Sequence, residues 1–185
     1  MKKLLKRFTV RDLLIIAAMA ALGIAIKPVV VPLAHLISSP LMIPGGAIAG
    51  GLYMMWIVVA FGLTGKHGAP TLTALVQAIL VIITGFSGSH GALSLLTYTL
   101  PGLLVDIVFL IIRRTPDTLP LAMLAGILAN LAGTAGTNVV FFSLPLIPLL
   151  LSLFCAALSG GIGGVISHFL LEALRRYGIK RGKKQ

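Results

Sequence analysis

Acidic residues are scarce in this chain, four against 15 lysines and arginines, and charged residues of either sign fill only 10% of its 185 positions. A water-soluble domain carries about 25% charged residues. Too little charge is present to cover a globule in water, and 58% of the residues are hydrophobic, with a mean hydropathy of +1.08. The solvent of this chain is therefore lipid. Cysteine is nearly missing as well: Cys155 alone, within an apolar run, excludes a disulfide framework inside the chain. A basic flank precedes the first apolar run, but no small-residue cleavage site and polar mature chain follow it, so no cleavable signal peptide is expected.

Chemical motifs are absent too. No H-E-x-x-H, C-x-x-C or paired-carboxylate arrangement occurs, and no cofactor fingerprint. The four histidines, His35, His67, His90 and His168, are far apart, which argues against a shared metal site, although His35 and His90 both fall in segments on one side of the membrane. "GLTGKHG" at 62–68 resembles a phosphate loop only superficially. Ala60 stands where its first glycine belongs, and His67 follows Lys66 where a hydroxyl should bind magnesium. The chain is not expected to hydrolyse ATP or to be an enzyme. The net charge of +11 does not point to nucleic acid, because the basic residues sit at the ends of apolar runs and not on one polar face.

What is present is a series of apolar runs. A crossing needs about 20 mostly apolar residues. Six are read, at 12–27, 45–63, 69–84, 91–112, 119–142 and 146–172, in a single all-α domain over 1–185. The third is short enough to slant or to end in a re-entrant turn. Lys2, Lys3, Lys6, Arg7 and Arg11 precede the first run. Lys66, Arg113, Arg114 and the tail from Arg175 to Lys184 occupy alternate connections, and the other connections carry no lysine or arginine. By the positive-inside rule both termini are cytoplasmic. Lys27 is the exception. Followed by Pro28, it reads as the outer end of span one, reaching for headgroups. Pro28, Pro32, Pro40 and Pro44 then predict an outer loop that is not a continuous helix and folds over the bundle as a lid.

Polar residues within the spans fall on stripes. Asn130, Thr134, Thr137 and Asn138 recur at helical spacing in span five; Ser94, Thr97 and Tyr98 open span four; Thr73, Gln77 and Thr84 share a face of span three. Such groups must be satisfied within the protein, by interhelical hydrogen bonds or around a cavity. Their convergence near the outer connections, with His35, Ser87 and His90, favours a binding cavity for a small neutral or weakly charged heterocycle. Tyr53 and Trp56, three apart in span two, are candidates for a stacking surface or for packing. Asp106, the one carboxylate well inside a span, lies towards the inner end, where a polar or basic neighbour is a better partner than an external ligand.

The layout resembles the substrate-binding S component of an energy-coupling factor vitamin transporter. The resemblance rests on chain length, six spans and cytoplasmic termini. It also rests on a first helix with Ala17, Ala21 and Ala25 spaced by four, and on "GLYMMWIVVAFGLTGKHGAP" (51–70) and "GFSGSHGALSLLTYTLPGLLVDIVFLIIRR" (85–114). These stretches are similar to the subgroup linked to thiamine and its hydroxymethylpyrimidine precursor. The resemblance implies a vitamin-binding subunit in a prokaryotic plasma membrane. It implies as partners a transmembrane T component, docked on the alanine face of span one, and two cytoplasmic ATPases. A stand-alone secondary transporter and a membrane scaffold are the alternatives. Cobalt uptake ranks behind these readings, since no early metal-chelating histidine stretch is present.

Overall fold

The structure, a computed structural model, describes residues 8–41, 43–85 and 91–178. Six α-helices run through them: α1 (Val10–Ser38), α2 (Gly45–Thr64), α3 (Ala69–Thr84), α4 (Ser94–Ile111), α5 (Leu119–Thr137) and α6 (Leu146–Arg176). Short 3-10 turns stand at Ser39–Leu41 and Gly91–Leu93, and one π turn, Asn138–Phe142, extends α5. No strand occurs among the described residues. Five of the apolar helical stretches are long enough to cross a membrane, and the chain is a multi-pass membrane protein. The sixth, α3, has 16 residues and rises only about 24 Å. It is a plain helix stopped by Gly85 in the left-handed conformation, φ 63°.

The largest departure from the sequence reading is α1. It does not stop at Pro28 but continues for 29 residues, with Pro28 and Pro32 inside it. The two prolines are four apart and share one side, so only the carbonyls of Ile24 and Pro28 lose their i+4 donors. In a bundle, neighbouring helices let such interruptions persist. Lys27, Val31, Ala34 and Ser38 are buried at helical spacing, so this stretch is a wall of the bundle and not a lid lying over it.

Helix α2 is the axis. Nearly every residue from Tyr53 to Thr64 is buried, and α1, α3, α5 and α6 all pack against it while α4 sits between α3 and α5. The contacts are close because side chains are small. A Cβ on Gly51 would lie 1.9 Å from the Ser159 carbonyl oxygen, and one on Gly126 would lie 2.2 Å from that of Gly160. With little hydrophobic drive between helices in lipid, such backbone approach is what holds them. Serines of α6 clip α2: the Ser159 hydroxyl donates to the Ile48 carbonyl and accepts from the Gly51 N–H at 3.0 Å, and Ser167 donates to the Met55 carbonyl at 3.1 Å.

Candidate functional site

The two ends of the bundle differ in chemistry. At the end holding the start of α1 and the end of α6, each acidic residue has a partner. Asp12 forms a capping box with Thr9 and accepts from Lys66 Nζ at 2.9 Å. Asp106 accepts from the backbone N–H of Gly68 at 2.7 Å, from that of Thr71 at 2.8 Å, and from the Thr71 hydroxyl. It thereby caps the first turn of α3, where a negative charge is favoured. Asp117 pairs with Arg175 at 3.2 Å, and Glu172 lies 3.7 Å from His168. Asp106 thus has the polar neighbours expected of it. The "GLTGKHG" segment is a helix stop and restart, with Gly65 and Gly68 at φ 62° and 94°.

At the other end the helices part around a cavity of about 430 Å³. Lys27, Val31, Pro32 and His35 of α1 form one wall. Gly46, Ala47, Tyr53 and Met54 of α2 form the next. Thr97 and Tyr98 of α4 face Gly133, Thr134 and Thr137 of α5, and Pro44 and Phe142 border the site. Lys27 is the unexpected member. It does not reach for headgroups: it is 7% exposed, with Nζ 4.2 Å from the centre of the Tyr98 ring and 5.4 Å from that of Tyr53. The signal was available, since a charge within an apolar run is a functional hypothesis by default. The proline after it concealed the signal, because a helix assumed to end there puts the lysine at the membrane surface.

Of the residues proposed from sequence, His35, Tyr53, Thr97, Tyr98, Thr134 and Thr137 line this cavity. Tyr53 is held by its hydroxyl, which donates to the Gly46 carbonyl at 3.2 Å. Thr137 donates to the Gly133 carbonyl at 2.7 Å and Thr97 to that of Leu93 at 3.4 Å, which leaves their oxygen lone pairs as acceptors. His35 packs over Gly45, where a Cβ would sit 2.7 Å from the ring.

Other proposed residues have different work. Asn130 is completely buried below the cavity and donates to the carbonyls of Ala47 at 3.0 Å and Ala156 at 2.9 Å, joining α5 to α2 and α6. Asn138 accepts from the Leu144 N–H at 2.9 Å and so fixes the chain as it leaves the π turn. Gln77 lies against Gly23 of α1, a Cβ on which would be 2.1 Å from its amide nitrogen. Ser94 and Trp56 are outside the cavity wall. Ser87 and His90 are outside the described residues. Ala17, Ala21 and Ala25 are exposed on the outer side of α1, while Ile16, Ala20, Gly23 and Ile24 face inward, so the alanine face is not internal packing.

A family model described as "ABC-type cobalt transport system, permease component" matches residues 11–132. The fold is similar to a solved structure, "Crystal structure of an S-component of ECF transporter", with a TM-score of 0.78 and 20% sequence identity over 92% of this chain and 87% of that one. No curated protein matches the chain.

Proposed function

Because the chain belongs to the family of ABC-type cobalt transport permease components, we propose that it is the substrate-binding membrane subunit, the S component, of an energy-coupling factor importer. The observation that carries this reading is the cavity at one end of an S-component-like bundle. It has room for a vitamin-sized molecule and is lined by two tyrosines, three threonines and apolar side chains. The reading assigns six crossings in a prokaryotic plasma membrane, with α3 as the short one. Both termini lie on the cytoplasmic side, so the cavity opens outward. ATP is hydrolysed by two partner ATPases, and a T component docks on the exposed Ala17, Ala21 and Ala25.

Within the thiamine-related subgroup, the neutral hydroxymethylpyrimidine suits the cavity better than thiamine, because the Lys27 ammonium is in the wall. Cobalt is the second reading, favoured by the family's description. The wall offers a divalent ion one imidazole, His35, together with a like charge, a poor donor set for that metal. The test is mass spectrometry of the purified chain. A pyrimidine-sized organic ligand supports the proposal. Cobalt bound in equimolar amount supports the second reading and overturns the first.

A further inference from the structure

An ammonium buried in lipid-facing protein normally has an anion beside it. Lys27 has none. No carboxylate is among the described residues that line the cavity, and all four acidic side chains are engaged at the opposite end of the bundle. Its partners among the described residues are the faces of Tyr98 and Tyr53, which offer π-electron density but accept no strong hydrogen bond. The ammonium therefore presents unused donors to a cavity whose other polar groups are hydroxyls and one imidazole.

We propose that Lys27 is the specificity-determining residue of this cavity: it selects a planar heterocycle that turns a hydrogen-bond acceptor or an anionic group towards Nζ, and it discriminates against the same ring carrying a fixed positive charge. This rests on the cavity being the substrate site. The ring stacks beside Tyr98 and Tyr53, the acceptor completes the ammonium's shell, and the threonine hydroxyls hold the remaining edge. A fixed cation in the same cavity meets a like charge set in a low-dielectric protein wall, where repulsion is stronger than in bulk water.

Three ligands sharing one pyrimidine ring test the charge ranking: hydroxymethylpyrimidine (neutral), its phosphate ester (anionic) and thiamine (cationic). Their dissociation constants are measured on the full chain in nanodiscs. We expect thiamine to bind about tenfold or more weaker than the neutral ring, and the phosphate ester at least as tightly as the neutral ring. Lys27→Met should bring the three within about threefold of one another, and Lys27→Arg should keep their order. Thiamine binding as tightly as the neutral ring, or an order that survives Lys27→Met in folded protein, overturns the proposal. If none of the three binds, the pyrimidine reading of the substrate fails, and the role of Lys27 is read by labelling. Pyridoxal phosphate and pyridoxal are compared as borohydride-trapped labels of Lys27, with Lys66 as the internal reference. A preference for the phosphate-bearing aldehyde that is about tenfold greater at Lys27 supports the charge-selective cavity. Equal preference at the two lysines, or no labelling of Lys27, overturns it.

Discussion

The end of the bundle that carries the ion pairs and the end that carries the cavity are made from the same helices, yet they treat polar groups in opposite ways. At the first, Asp12, Asp106 and Asp117 each meet a complementary group, and all three also order a helix start or a connection. At the second, a lysine is buried with no anion beside it among the described residues, two prolines interrupt one helix, and a π turn distorts another. Groups satisfied within the chain hold the fold. Groups left with unused capacity, grouped around empty volume, are where a ligand can be recognised. A residue's polarity alone does not say which kind it is.

The sharpest way to break this division is to remove groups from each end and measure stability and ligand binding side by side. The largest effect belongs to Asp106. Asp106→Leu strands the N–H groups of Gly68 and Thr71 and should cost about 3 kcal/mol of stability, read as a lower melting temperature in detergent. Ligand affinity of the folded fraction should be unchanged. Asn130→Leu comes next, at about 2 kcal/mol of stability, because it frees two interhelical carbonyls; its effect on ligand affinity should follow from loosened packing alone. Thr134→Val and Thr137→Val should reverse the pattern, with melting nearly unchanged and each weakening the ligand by about 1 kcal/mol in titration calorimetry. The smallest effect belongs to Asp117→Asn at the half-exposed pair with Arg175, about 0.5 kcal/mol and falling with added salt. A ligand-affinity loss at Asp106 as large as that at Thr134 would dissolve the distinction between the ends.

Much of this architecture was legible because hydrophobic runs and their basic flanks are written directly in the residues. α2, α3 and α5 with its π turn begin and end within a residue of the runs read at 45–63, 69–84 and 119–142. The stripe on α5 was also legible, but its division was not. Thr134 and Thr137 face the cavity while Asn130 and Asn138 turn to backbone carbonyls and N–H groups. Helical spacing gives the side of a helix, not the depth at which its neighbours close. The first helix misled for a different reason. A proline weakens a helix locally, and whether the helix continues depends on what surrounds it. Pro28 and Pro32 sit in a helix whose inward residues, Val31 and Ala34, belong to the main core. Tertiary packing outweighed the local signal, and Lys27 moved from an expected headgroup contact to the wall of the site.

The central claim, that ligand is bound in the enclosure between Lys27, Tyr53, Tyr98 and Thr134, is tested most directly by filling it. Thr134→Trp puts an indole into the cavity and leaves the ion-paired end untouched. Native mass spectrometry of the wild type and this variant, purified in parallel, reads the occupancy of whatever ligand the chain retains. The account predicts a ligand mass on the wild type and its loss from a variant that still melts cooperatively. A folded Thr134→Trp protein that keeps full occupancy would place the binding site elsewhere.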